Sequence, residues 1–155
     1  MDRAEKIEKL KIKSKRKKLY QAINESIKNI SINFIEIEDT IKLRDEIIAY
    51  MEMMDTECSS LIFSSDISCV DIYKSNLDVF SNLREEDIVF FHNEFLNLGA
   101  IELNLGVLID NIDYMLCISD LFKGGCGMFL VDKNMEFGLC LWKTEYDIRL
   151  YKWNL

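Results

Sequence analysis

Proline is absent from all 155 residues. Its absence excludes proline-rich linkers and proline turns, so the chain must turn on Gly, Asn, Asp and Ser. No apolar run approaches the roughly 20 residues that a bilayer-spanning helix needs, so no membrane partner is expected. Cysteine is sparse and odd in number: Cys58, Cys69, Cys117, Cys126 and Cys140, no two within four positions. That spacing argues against a thiolate zinc site and against a disulfide framework. Free thiols in a reducing compartment fit it instead. The first residues are charged from Asp2 onward and contain no apolar signal core, which predicts a cytoplasmic protein. No metal-ligand, nucleotide-loop or catalytic motif is present, so no cofactor and no enzymatic activity are expected.

What the chain does have is segregated charge. Residues 1–28 carry ten Lys/Arg against four Asp/Glu, a net of +6. The remaining residues carry nine against 23, a net of −14, and the whole chain stands at −8. A basic arm on an acidic body selects partners by sign, because opposite charge steers association and like charge repels. With 49% apolar residues the body has enough material for a core.

Hydrophobic periodicity gives a coarse map. Residues 1–30 read as a long basic helix, with Ile7, Leu10, Leu19, Ile23, Ile27 and Ile30 largely on one face. Its segment KIKSKRKK, residues 11–18, is expected to project into solvent. Ile35–Glu38 alternate as a strand would, with an extension of the first helix as the alternative. Asp39 or Thr40 then caps a helix to about Met54. Cys58–Phe63 and Ile67–Tyr73 read as strands. Asn76–Leu83 shows neither period. A helix over 83–98 is expected, with Glu85, Glu86 and Asp87 in its first turn and Gly99 as its stop. Ile101, Leu103 and Leu105 alternate as a strand, and 107–122 reads as a helix. Three strands follow: Met128–Val131, Met135–Trp142 and Tyr146–Trp153. The expected fold is α+β in one domain, residues 1–155. It comprises about four helices packed on an antiparallel sheet that includes this C-terminal three-stranded meander.

Four constellations carry chemistry. The cations Lys11, Lys13, Lys15, Arg16, Lys17 and Lys18 suit phosphate contacts. Tyr20 is the arm's only aromatic and the body repels phosphate, so nucleic acid is the lesser reading. The acids Glu85, Glu86, Asp110, Asp113, Glu145 and Asp147, with Tyr146 as an aromatic anchor, suit a cationic protein partner. Their ordinary alternatives are helix-start signals and a solvated face. Asp110 and Asp113 share a helix face but lack the His or third acid that a metal or acid–base site needs. Cys126, set between glycines in GGCG, is a possible nucleophile only if His92, the sole histidine, comes near it.

The acidic, proline-free chain with the ending GGCGMFLVDKNMEFGLCLWKTEYDIRLYKW resembles the immunity proteins of bacterial contact-dependent growth inhibition and related polymorphic-toxin systems. That resemblance implies a cytoplasmic protein that binds one cognate toxin domain, often a nuclease, and covers its active site or another surface it needs. The expected partner is therefore a basic toxin domain. Nucleic-acid binding or regulation through residues 11–18 is the alternative function.

Overall fold

The computed structural model describes residues 3–28, 30–119, 121 and 127–155. Cys126, Gly124, Gly125 and Phe122 lie outside them, and with them the proposed thiol site. The chain begins with α1 (Arg3–Ser26), β1 (Ile32–Phe34), α2 (Ile37–Thr56), β2 (Leu61–Ser64) and α3 (Cys69–Lys74). A single 3₁₀ turn, Leu77–Phe80, leads to β3 (Asp87–Phe90), α4 (Phe95–Leu98), β4 (Ile101–Asn104), α5 (Leu105–Asp110) and α6 (Ile112–Ile118). The strands β5 (Gly127–Val131), β6 (Gly138–Lys143) and β7 (Asp147–Trp153) close the chain.

The seven strands form one antiparallel sheet in the order β1-β4-β3-β5-β6-β7-β2. The fold is therefore α+β, and its last three strands are a meander. Both sheet faces are covered. On one, Leu43, Ile47, Met51 and Met54 of α2 pack on Val89, Phe129, Cys140, Tyr151 and Trp153. On the other, Ile23 and Ile27 join Ile72, Phe80, Leu108 and Leu116 over Ile88, Phe90, Leu130, Leu139 and Leu150. Each of these large side chains contributes about 1.5–3 kcal/mol by leaving water. Two-sided burial also explains why the central strands are apolar without alternation.

That same burial overturns the expected helix over 83–98. Residues 88–91, IVFF, are all buried, and 87–90 pair with β4 and β5. The acidic triplet that looked like a first helical turn leads into a strand; only Phe95–Leu98 is helical. Ile67–Tyr73 is not a strand either. Ser68 accepts a hydrogen bond from the Asp71 N–H and starts α3, which the buried Tyr73 hydroxyl ties to the Leu139 carbonyl at 3.2 Å. The helix expected over 107–122 is two short ones that meet at Asn111, and Asn104 caps the first through Val107 N–H. The strand expected at Ile35–Glu38 lies three residues earlier, and Ile37 already belongs to α2. Thr40 is no cap: its buried hydroxyl accepts from Ala100 N–H at 2.9 Å.

The first helix divides in two. Its C-terminal part, with Leu19 and Ile23, packs on the sheet, whereas Ile7 and Leu10 are exposed and not inward. Between these parts Arg16 fastens the helix to the body. It donates to Leu98 C=O at 2.7 Å and Ile35 C=O at 3.0 Å, pairs with Glu36, and lies 5.3 Å from the centre of the Phe34 ring. The basic turn therefore does not project as a whole: its arginine is a clamp, while its lysines face solvent.

Candidate functional site

The C-terminal end of α2 overhangs the β6–β7 hairpin and leaves a groove of about 310 Å³. Ile48, Met51, Glu52 and Asp55 line it from the helix. Trp142, Thr144, Arg149 and Tyr151 line it from the sheet. Strand alternation puts Arg149 and Tyr151 on the face that α2 covers, while Ile148 and Leu150 fill the opposite core. The Trp142 indole is held flat against Phe129, ring centres 5.9 Å apart and planes within 11°.

A polar network spans the groove. The Asp55 carboxylate accepts from Arg149 at 2.7 Å, Ser60 at 2.8 Å and Tyr151 at 3.0 Å. Arg149 also donates to Asp147 at 3.2 Å, and Asp147 in turn accepts from the Thr144 hydroxyl at 2.7 Å. Partial burial opposes ionisation of Asp55, but the hydrogen bonds from Ser60, Arg149 and Tyr151 outweigh it and hold its carboxyl below the usual range. Burial, with the Asp55 carboxylate beside it, pushes the Tyr151 hydroxyl up to about 12. Hydrogen bonding to Asp55 raises Arg149 further, so the Asp55–Arg149 pair is ionised at neutral pH while the Tyr151 hydroxyl keeps its proton.

This arrangement suits recognition. The Thr144 and Tyr151 hydroxyls and the Asp55 and Asp147 carboxylates are locked in mutual bonds, and among the described residues no thiol lines it. The groove is half apolar with a rigid aromatic wall, and carboxylates stand at its rim.

The predicted acidic residues fall into separate places. Glu145, Tyr146 and Asp147 form the tip of the hairpin beside this groove, and Tyr146 is 83% exposed. Glu85 and Glu86 are exposed at the entrance to β3, where the Glu86 carbonyl accepts from Leu105 N–H. Asp110 lies at that same end, paired with Arg84 at 2.5 Å. Asp113 is paired with Lys74 of α3. Asp110 and Asp113 are thus partly neutralised by body cations, and they sit on different helices. Asp147 shares Arg149 with Asp55. Glu52 and Asp55 were not singled out from sequence, whereas Trp142 and Tyr151 stand out there as part of a C-terminal cluster of aromatics; no local pattern marks a helix end and a hairpin that meet only in the fold.

His92 is buried, with Glu94 N–H on its Nδ1 at 3.1 Å and Nε2 at 2.8 Å from Gly99 C=O. Both ring nitrogens are engaged by backbone, which makes it a structural residue. A larger cleft, about 660 Å³, separates α1 from the start of α2, between Lys9, Lys13 and Arg16 on one side and Glu36 and Glu38 on the other. Its opposed charges mark an arm lying along the body, with no aromatic lining.

The family model of the YxiF protein matches residues 19–153. The chain belongs to the YxiF family. The matched span takes in α2, the hairpin, the groove and all seven strands of this YxiF chain, and begins just after the basic run. Over 73 residues the chain is 32% identical to "Uncharacterized protein YxiF" of Bacillus subtilis (strain 168), covering 44% of this chain and 46% of that protein. The chain therefore spans about half the length of the curated relative it matches. No solved structure matches. Among the described residues of this family member, no helix is long and apolar enough to cross a membrane.

Proposed function

We propose that this YxiF-family protein is a non-enzymatic, cytoplasmic immunity protein. It binds a cognate, basic bacterial toxin domain, a nuclease being the expected class, and occludes its active or functional surface. The observation that supports this reading is the unmatched acidity of the body. Within the basic helix, Lys11 pairs with Glu8 of its own helix, and Arg16 reaches Glu36. The carboxylates around the groove and hairpin are left to Arg149 alone among the ion pairs at that end. A cationic protein approaching that end meets an attracting field and an exposed tyrosine, the combination that speeds association and anchors an interface. Interfaces of this kind bury about 1,600 Å² in total.

The test is co-expression with the toxin domain encoded beside this chain in its native genome, read as growth. Rescue with a one-to-one complex is expected; continued killing overturns the reading. A second reading, nucleic-acid binding or regulation, draws support from Lys13, Lys15, Lys17 and Lys18, which stand exposed along α1. It requires binding to DNA or RNA that weakens steeply with salt and vanishes when these lysines become glutamine.

A further inference from the structure

The two edges of the sheet are unlike. At one, β1 is three residues long, its following carbonyl at Ile35 is taken by Arg16, and the same guanidinium lies over Phe34. Shortness and a covering cation blunt that edge. At the other, β2 pairs only with β7, in the register Leu61↔Leu150, Ile62↔Arg149, Phe63↔Ile148 and Ser64↔Asp147. Beyond the turn bond from Ile67 N–H to Ser64 C=O, its outer side meets no other strand among the described residues. Alternate backbone groups of β2 therefore face solvent.

Apart from its shortness, four residues, this edge lacks the charge and proline that usually protect an edge. Residues 58–65, CSSLIFSS, hold no charge and no proline. Leu61 is 45% and Ile62 64% exposed, and Ile67 after the strand is exposed as well. Together with Tyr146 on the adjoining hairpin, they make up four of the ten exposed large apolar side chains among the described residues. An open, apolar, uncharged edge is a template for another strand.

The flanking charge selects the occupant. Glu57 and Asp66 bracket the strand, and Asp147 stands opposite Ser64 with Glu145 nearby on the hairpin. Lys143, Arg149 and Lys152 are the cations of the hairpin; Arg149 is spent on Asp55 and Asp147, and Lys152 bonds the Asn76 side chain. A second copy paired antiparallel through β2 would bring acid against acid at both ends. A cationic strand meets complementary charge at both. We infer that β2 is a docking edge for an extended, cationic strand of a partner protein, which adds an eighth strand to the sheet. This rests on the binding function proposed above and names the surface that performs it.

The probe is a short acetylated peptide alternating lysine and valine, labelled for fluorescence anisotropy and mixed with the full chain. Saturable one-to-one binding is expected, with amide exchange slowed over residues 58–66. A central proline in the peptide removes its capacity to form a ladder and is expected to abolish binding. Ile62→Lys, at an exposed position, is expected to weaken binding at least about tenfold, while Glu85→Lys, with a larger charge change at a distant site, alters it less than about twofold. Equal binding of the proline peptide, equal loss in both variants, or protection outside 58–66 overturns the inference. So does self-association of the chain that Ile62→Lys dissolves. Toxin neutralisation that survives Ile62→Lys sinks the docking edge alone. Peptide docking without any toxin neutralisation sinks the immunity reading alone.

Discussion

Arg149 of β7 and Asp55 of α2, ninety-four positions apart, meet at 2.7 Å over the groove. That contact closes the end of α2 onto the terminal hairpin and sets the groove's width. Ser60 and Tyr151 complete the carboxylate's partners, so the bond is supported from the loop before β2 as well as from β7.

Replacing Asp55 by asparagine tests this contact through pH. The carboxyl titrates lower in the folded chain than in the unfolded one. Its contribution is therefore complete above about pH 5 and is lost as pH falls through the folded value. Asp55→Asn is expected to cost about 1–2 kcal/mol at neutral pH, with Arg149 keeping Asp147 as partner. Thermal melts across pH should show the gap between the two proteins narrowing below about pH 4.

Arg16 is expected to be irreplaceable by lysine. Its planar fork serves two carbonyls on different segments, and its flat face lies against Phe34, which a single ammonium cannot reproduce. Both Arg16→Lys and Arg16→Ala should cost about 1–2 kcal/mol. In each, amide exchange over residues 3–18 should quicken while that of the sheet is unchanged.

Gly138 starts β6 directly under the Trp153 indole, where an added Cβ would fall 2.2 Å from a ring carbon. The Trp153 ring is held by its N–H to Met135 C=O at 3.0 Å and by Tyr50, so it cannot swing away freely. Gly138→Ala is expected to destabilise by about 1–3 kcal/mol through overpacking, seen as a lowered urea midpoint with an unchanged slope.

Tyr146 separates stability from binding. At 83% exposure its removal should change stability by less than about 0.5 kcal/mol. Tyr146→Ala is nevertheless expected to weaken capture of a toxin domain at least about tenfold, measured by calorimetry. Replacing Lys13, Lys15, Lys17 and Lys18 by glutamine should leave that affinity within about twofold, since these residues lie on the basic helix and away from the hairpin.

Much of the fold was legible where period and burial agree. In β7 the partly solvated Asp147, Arg149 and Lys152 are interleaved with buried residues, and turn residues bound both β6 and β7. In α2 the stripe Leu43, Ile47, Met51 and Met54 faces a single sheet. Legibility failed at β3, where Ile88, Phe91, Phe95 and Leu98 imitate a helical stripe behind an acidic start. Burial on both faces removes the alternation that would have named a strand. It failed again at Ile67–Tyr73, where one serine cap decides for helix against β-branched propensity. The site was legible at the hairpin tip, as Glu145, Tyr146 and Asp147, and in the clustered aromatics Trp142 and Tyr151. Glu85, Glu86, Asp110 and Asp113 are acidic and outward as composition suggested, but lie elsewhere. Asp55 and the open edge of β2 depend on strand order, which no local pattern encodes.

The most direct measurement is capture of the tagged full chain with its partner from the native host, followed by hydrogen exchange of the complex. The expected result is a one-to-one complex with a cationic protein, with exchange slowed over 52–66 and 142–149. Recovery of nucleic acid in place of protein, or protection confined to 84–87 and 110–113, would contradict it.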